Sequence, residues 1–299
     1  MLKLLSQSRF SQLILGAFSL GLIMVFESQS VNAQDGSSAT LVKLKSEFKR
    51  PSEIPFPEEN QYTPGKAKLG KLLFFDPRLS RTKIMSCASC HNPSLSWGDG
   101  LAKGVGFGME TLGRRSPTIL NLAWSEALMW DGREDTLEEQ ALGPIQAEVE
   151  MNLSLDTLLA RLRNINDYVT MFKNVFPEDG ITPENIGKAI ATFERTVVSG
   201  KAPFDKWIEG DEKAISASAK NGFVIFNGKA RCSACHAGWN FTEDSFHDIG
   251  LAASDDIGRA KIIEGVVSLR HAFKTPGLRN IDHRGPICMM DLSQIWERL

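Results

Sequence analysis

Leu155, Leu158, Leu159, Leu162, Ile165, Val169 and Phe172 recur at intervals of three and four along the chain. That spacing puts them on one face of a helix. Ser154 suits its N-cap, and Pro177 and Gly180 end it, so one helix is expected from Leu155 to just before Pro177. Thr182-Pro183 opens a second helix, with Ile186, Ala189, Ile190, Phe193 and Val197 along one stripe. Both stripes are read as faces turned to a core. Period-two alternation of Val, Ile and Thr is scarce, so little sheet is expected. Residues 34–56 are rich in Ser, Pro and Glu and are expected to be partly extended, with an N-terminal extended segment at 34–52. Lys201-Ala202-Pro203 reads as a linker.

The start of the chain has a different pattern. Lys3 and Arg9 make a basic beginning, Leu13 to Phe26 is apolar, and Val31-Asn32-Ala33 has the small-residue form of a cleavage site. Residues 1–33 read as a secretory signal peptide. The competing reading is a membrane anchor, but the apolar run is short of the ~20 residues a spanning helix needs. An exported, periplasmic protein with no membrane span after cleavage is expected. With 299 residues, two domains are the prior. A net charge of −2 gives no basic excess, so nucleic acid is not an expected partner.

Cysteine placement sharpens the picture. Four of the five cysteines fall in two copies of one pattern: Cys87-Ala88-Ser89-Cys90-His91 and Cys232-Ser233-Ala234-Cys235-His236. C-x-x-C-H is the attachment signature of c-type haem. Each thiol adds across one vinyl group of the porphyrin, and the next His reaches the iron. The alternatives are a zinc site, a thioredoxin-like pair or structural disulfides. Zinc wants its two C-x-x-C pairs close together or extra His ligands at short spacing; here the pairs lie far apart and each carries its own His. Two covalent haems are therefore expected, with His91 and His236 as proximal iron ligands. Export fits, because c-type haem is attached outside the cytoplasm.

A weak internal repeat surrounds these motifs. Gly70-Lys71-Leu72-Leu73-Phe74-Phe75-Asp76 precedes the first, and Gly222-Phe223-Val224-Ile225-Phe226-Asn227 the second. Ser116-Pro117-Thr118-Ile119-Leu120-Asn121 and Thr275-Pro276-Gly277-Leu278-Arg279-Asn280 follow them, and then Met129-Trp130-Asp131 and Met289-Met290-Asp291. The economical fold is mostly α, with little sheet: two c-type cytochrome-like haem domains packed together, at 53–200 and 201–299.

Between the two motifs stand Met129-Trp130-Asp131-Gly132-Arg133, Leu137-Glu138-Glu139-Gln140-Ala141, Gly143-Pro144-Ile145-Gln146 and Glu150-Met151. With the haem motifs, these resemble the bacterial di-haem cytochrome c peroxidase family, which includes the MauG-type maturases. The resemblance runs from about Leu72 to Asp291. It implies that hydrogen peroxide is reduced to water with electrons from a small redox protein, a cytochrome c or a cupredoxin. It makes the haem on Cys87, Cys90 and His91 the peroxidatic one, and the haem on Cys232, Cys235 and His236 the point of electron entry. It implies a catalytic role for Glu150, which could carry a proton from the near to the far oxygen of peroxide. It gives Gln140 the part of a distal amide that orients peroxide, and Trp130 a place between the haems. Taken alone, these residues read as a helix-end carboxylate, a helix-surface amide and a core indole.

The sequence departs from the family pattern at several points. Where a typical peroxidase has a His that caps the peroxidatic iron, this chain has Phe107, within Gly104-Val105-Gly106-Phe107-Gly108-Met109. A phenyl ring cannot ligate and is expected to pack near the haem, which leaves the ferric iron open; Met109 is the alternative cap. The sixth ligand of the electron-entry haem falls in Pro286-Ile287-Cys288-Met289-Met290-Asp291. The internal repeat selects Met289, ahead of Met290 and Cys288. A thioether there favours ferrous iron. The chain stops sooner than the family pattern, so a C-terminally shortened second domain is expected. Calcium between the domains is a family feature. Arg114-Arg115 replace the expected Asn before Ser116-Pro117, and a guanidinium cannot bind a cation; backbone carbonyls near Lys274 and Pro276 remain candidates, so calcium is possible and unassigned.

Three activities follow from these residues. The first is a peroxidase fed by a small redox protein. The second is a MauG-like oxidase of a partner's side chains, against which stand the two tyrosines, Tyr62 and Tyr168, and Ile287 at the C-terminal Tyr position. The third is a di-haem electron carrier, which has no use for Glu150 and Gln140. A homodimer is left open.

Overall fold

The computed structural model describes residues 33–250 and 255–285. Helices dominate them. The regular sheet among the described residues is a ribbon of two strands, β1 (Phe246–His247) antiparallel to β2 (Phe273–Lys274). The described residues from Val42 onward form one compact unit.

The first helix, α1 (Ala33–Glu47), corrects the expectation of an extended N-terminal segment. The composition of 34–56 averaged two unlike stretches. Its prolines, Pro51 and Pro55, all lie beyond the helix, whereas Leu41 to Glu47 alternates apolar residues with lysines that tolerate helix well. Phe48 follows and is fully buried. Its ring meets Phe204 and Phe223 edge-on and Phe241 at a tilt.

Helix α2 (Pro64–Phe74) starts with Pro at its first turn and Thr63 Oγ1 accepting from the Lys66 amide. The first haem motif is itself a helical turn, α3 (Cys87–Cys90). Two short turns follow, α4 (Leu137–Gln140) and α5 (Gly143–Gln146). The stripe expected to form a single helix forms two, α6 (Leu155–Arg163) and α7 (Asn166–Val175). Ser154 caps the first as anticipated. The break falls at Asn164, whose side chain turns back to the Ala160 carbonyl at 2.8 Å, and at Ile165, which is extended. The break shifts the phase of the stripe: Tyr168 is 4% exposed and Val169 is 42% exposed.

Helix α8 (Pro183–Arg195), capped by Thr182, is the spine of the molecule. Ile186, Ala189, Ile190 and Phe193 are all buried on it, as their spacing required. It packs on α2 and α4. The crossing with α2 depends on Gly70: a Cβ there would sit 1.8 Å from the Ala189 carbonyl oxygen. Beside the crossing, Arg195 makes a two-pronged pair with Glu138 at 2.6 and 2.9 Å, and Asn60 donates to the same carboxylate at 2.6 Å.

Lys201 and Ala202 link this half to α9 (Pro203–Ile208) and α10 (Ala217–Asn227), which leads into the second motif. The repeat is visible in the backbone. Asn121 and Asn280 close the two S/T-P segments in the left-handed region, at φ 62° and 56°, and each opens a single 3-10 turn. No described helix is long and apolar enough to cross a membrane.

Candidate functional site

One continuous cavity of about 1330 Å³ is lined by Cys87, Cys90, His91, Cys232, Cys235 and His236 together. That exceeds the roughly 300–1,000 Å³ of a pocket for a single small molecule. These four cysteines are unpaired thiols. Burial pushes the Cys87, Cys90 and Cys235 thiols up from their ordinary range, so they stay neutral while unmodified. Both histidines are set up alike. Nδ1 of His91 lies 3.3 Å from the Trp97 carbonyl, and Nδ1 of His236 lies 2.9 Å from the Phe241 carbonyl. A carbonyl partner keeps the proton on Nδ1 and leaves Nε2 as the lone-pair nitrogen, the arrangement iron-binding histidines use. Burial also holds the His91 pKa below its usual value, which favours the neutral, ligating ring. The residues present fit two c-type haems better than zinc or disulfides.

Glu150, Gln140 and Trp130 line the same cavity. The tight turn at Met129–Gly132, closed by the Gly132 amide on the Met129 carbonyl, presents Met129, Trp130 and Arg133 to it. Trp130 is fixed at both ends: its indole N–H donates to the Arg115 carbonyl at 2.9 Å, and its own carbonyl accepts from the Lys274 amide at 2.8 Å. Thus one tryptophan ties the first half to the β-ribbon of the second. Gln140 Nε2 lies 3.7 Å from the Met129 sulfur, which orients the amide. Burial raises the Glu150 pKa, and the positive charge of Arg133 works against that rise. Arg133 is held by Asp131 at 2.9 and 3.1 Å. Asp131 also accepts from Arg114 at 2.7 Å, and Arg114 reaches on to Asp256 at 2.7 and 2.8 Å.

In the loop that departs from the family pattern, the side chains of Phe107 and Met109 stay out of the cavity. Gly106 lines it because no side chain fits there: a Cβ would lie 1.9 Å from the Val149 carbonyl oxygen. The Phe107 amide donates to that same oxygen at 3.1 Å. The Phe107 ring packs under the Arg81 guanidinium at 5.6 Å and is absent from the cavity lining. It therefore sits farther from the haem site than a packed phenyl was expected to. Met109 is 81% exposed and does not line the cavity either.

The matches to known proteins follow the same lines. A model of the di-haem cytochrome c peroxidase family covers residues 64–213. Over 254 residues the chain is 54% identical to the methylamine utilization protein MauG of Methylorubrum extorquens, spanning 84% of this chain and 72% of that protein. The chain belongs to the di-haem cytochrome c peroxidase family. It is also 37% identical to the cytochrome c551 peroxidase of Pseudomonas aeruginosa over 240 residues, or 77% of this chain and 68% of the other. Among solved structures, a MauG-like protein associated with microbial copper homeostasis superposes with a TM-score of 0.75 at 28% identity, covering 83% and 80% of the two chains. Membership makes the chain an oxidoreductase of a family that carries two c-type haems.

Several residues of this family member acquire meaning through the fold. Arg133 ends the Met129–Arg133 segment, yet its electrostatic effect on Glu150 depends on two turns distant along the chain coming together. Glu194 lines the cavity from α8, and a helix stripe gives no sign that a carboxylate on it faces a haem site. Glu243, His247 and Cys235 approach within 4.8 Å of one another. A metal there competes with haem for Cys235, and Glu243 is already committed to His247 and Thr275 at 3.0 and 2.8 Å. At the positions a calcium ion would need, Arg114 and Arg115 are engaged with Asp256 and the Arg284 carbonyl, and the Thr275 carbonyl accepts from Thr242. Met289, with Ile287, Cys288 and Met290, lies outside the described residues, as does the signal segment up to residue 32.

Proposed function

We propose that this chain reduces hydrogen peroxide to water at a haem carried by Cys87, Cys90 and His91, in a domain at 53–200. Cys232, Cys235 and His236, in a domain at 201–299, would hold a second haem that would supply the point of electron entry. When bound, the haem iron supplies the redox chemistry. The chain supplies proton handling and alignment. Glu150, ionised, accepts the proton of the near peroxide oxygen and returns it to the far one. Arg133 opposes the effect of burial on Glu150 and so keeps the carboxylate available. Gln140, steadied by Met129, offers its amide to peroxide. Trp130, anchored to both halves, provides a π-system between the haem sites.

The observation that carries this reading is that Glu150, Gln140 and Trp130 line one cavity with Cys87, Cys90 and His91, while neither Phe107 nor Met109 lines it. Peroxide then needs no prior reduction to reach the first iron. Mixing the all-ferric holoprotein with peroxide in a stopped-flow spectrometer should give a fast spectral change. An inert ferric protein overturns the reading. Mass spectrometry of the exported protein should show two covalent haems; one or none removes its basis.

The electron source divides two versions. In the first, a cytochrome c or cupredoxin feeds the second haem. In the second, the electrons come from side chains of a partner protein, as in a MauG-like oxidase. The second version is favoured by identities of 54% and 52% to two MauG proteins, against 37% to a cytochrome c551 peroxidase. Turnover of peroxide with a reduced small cytochrome or copper protein supports the first; peroxide-driven oxidation of a partner without such a donor supports the second. Export to the periplasm and a cleaved signal at Ala33 belong to both, and Met289 is proposed as the sixth ligand of the second haem.

A further inference from the structure

Glu194 is a buried acid without a partner. It is 4% exposed, and its Oε2 has no hydrogen bond. Its chain neighbour Arg195 is spent on Glu138 at 2.6 and 2.9 Å. One turn earlier, Ile190 lines the same cavity, so this face of α8 looks onto the haem site. The Glu194 charge is felt by the Cys87 thiol, which places the carboxyl at the Cys87 edge. A buried, unpaired carboxylate is costly, and such groups hold a proton instead. Burial pushes Glu194 up to about 8, against the pull of Arg195 and with the help of Glu138. The charged and titratable groups facing it are therefore Arg195 on its own helix, Glu138 on α4 and Cys87 on α3. Glu138 is held by Arg195 and accepts from Asn60, so its charge is fixed and the haem would be the variable charge in this surrounding.

We infer that Glu194 is a proton site coupled to the electron on the first haem: it takes up a proton when that haem is reduced and releases it when the haem is oxidised. The inference rests on the proposal that haem hangs from Cys87. Written out, ferric haem, one electron, the Glu194 carboxylate and one solvent proton give ferrous haem and the Glu194 carboxylic acid. The electron comes from the donor protein or a chemical reductant. The net charge of the buried site stays constant, which a low-dielectric interior favours. Peroxide reduction consumes two protons with two electrons, so a proton stored beside the haem serves the same turnover. Glu194 touches no peroxide in this scheme and differs in that from Glu150.

The test is a spectropotentiometric titration of the holoprotein between about pH 6 and 10, a window around a raised carboxyl. One of the two haem potentials should fall with rising pH, by up to about 59 mV per tenfold drop in proton concentration for a one-electron couple. Glu194→Gln, which copies the protonated shape, should flatten that wave, leave the other unchanged and keep both haems by mass. A wild-type potential independent of pH overturns the inference, as does a slope that persists in Glu194→Gln. If the variant fails to hold haem, reduced-minus-oxidised infrared spectra of the wild type decide: a buried carboxylic acid band that grows on reduction supports the coupling, and its absence defeats it. A wild type lacking the first haem defeats the proposed function instead, before Glu194 is tested.

Discussion

Replacing Glu150 by Gln keeps the shape of the side chain and removes its capacity to accept a proton. In the proposed mechanism the carboxylate accepts a proton from peroxide, a contribution on the order of 10²- to 10⁴-fold in rate, or about 3–5 kcal/mol of barrier at 1.36 kcal/mol per decade. The structure adds a pH signature. Burial raises this carboxyl above its ordinary value, and Arg133 pulls it back. The ionised form is the active one, so the rate is present above the pKa and is lost as pH falls through it. Because the pKa is raised, that loss should set in above the ordinary Glu value of about 4.3. Arg133→Gln removes the opposing charge and should move the loss to still higher pH. The assay is the stopped-flow rate of the ferric holoprotein with peroxide, measured across pH. Glu150→Gln should bind both haems, react at least about 10²-fold more slowly and show no acid limb. An unchanged rate, or an acid limb that survives in Glu150→Gln, refutes the assignment; a lost haem points to a structural role.

Phe107→Ala should leave the ferric peroxide rate unchanged, since the ring lies on Arg81 outside the cavity; a large change in that rate means the ring does shape the site. Gly70→Ala should destabilise the fold by about 3 kcal/mol or more, the upper end for overpacking, because the new methyl meets a backbone carbonyl that cannot yield; an unaltered thermal midpoint shows that α2 and α8 can separate freely. Met289→Ala should convert the second haem from low spin to a weakly ligated state in electron paramagnetic resonance spectra, and the same change in Met290→Ala alone shifts the ligand by one residue.

The helices that carry the core were legible where one periodic stripe ran unbroken. Thr182 to Arg195 is such a case: the residues its spacing selects are buried, though Asn185, Ala191, Thr192, Glu194 and Arg195 off that stripe are buried as well. The stripe after Ser154 was legible in its first half and misread after Asn164, because a side chain that caps the helix at that point shifts the phase of everything beyond it. The segment before Pro51 was misread for another reason: a composition averaged over 34–56 hides where the prolines fall.

The haem chemistry and the family follow from the sequence by itself, because covalent attachment needs its two thiols and its histidine within five consecutive positions, and local spacing survives in one dimension. The carboxylate, amide and indole could be named by their place in contiguous motifs. What the tertiary structure decided is which groups face them. Arg133 opposite Glu150, Phe107 turned onto Arg81, Trp130 held by Arg115 and Lys274, and Glu194 left alone at the Cys87 edge all depend on contacts between distant segments. Charge and dielectric act through space, so the proton affinity of a carboxyl is set by neighbours whose order along the chain says nothing of their distance.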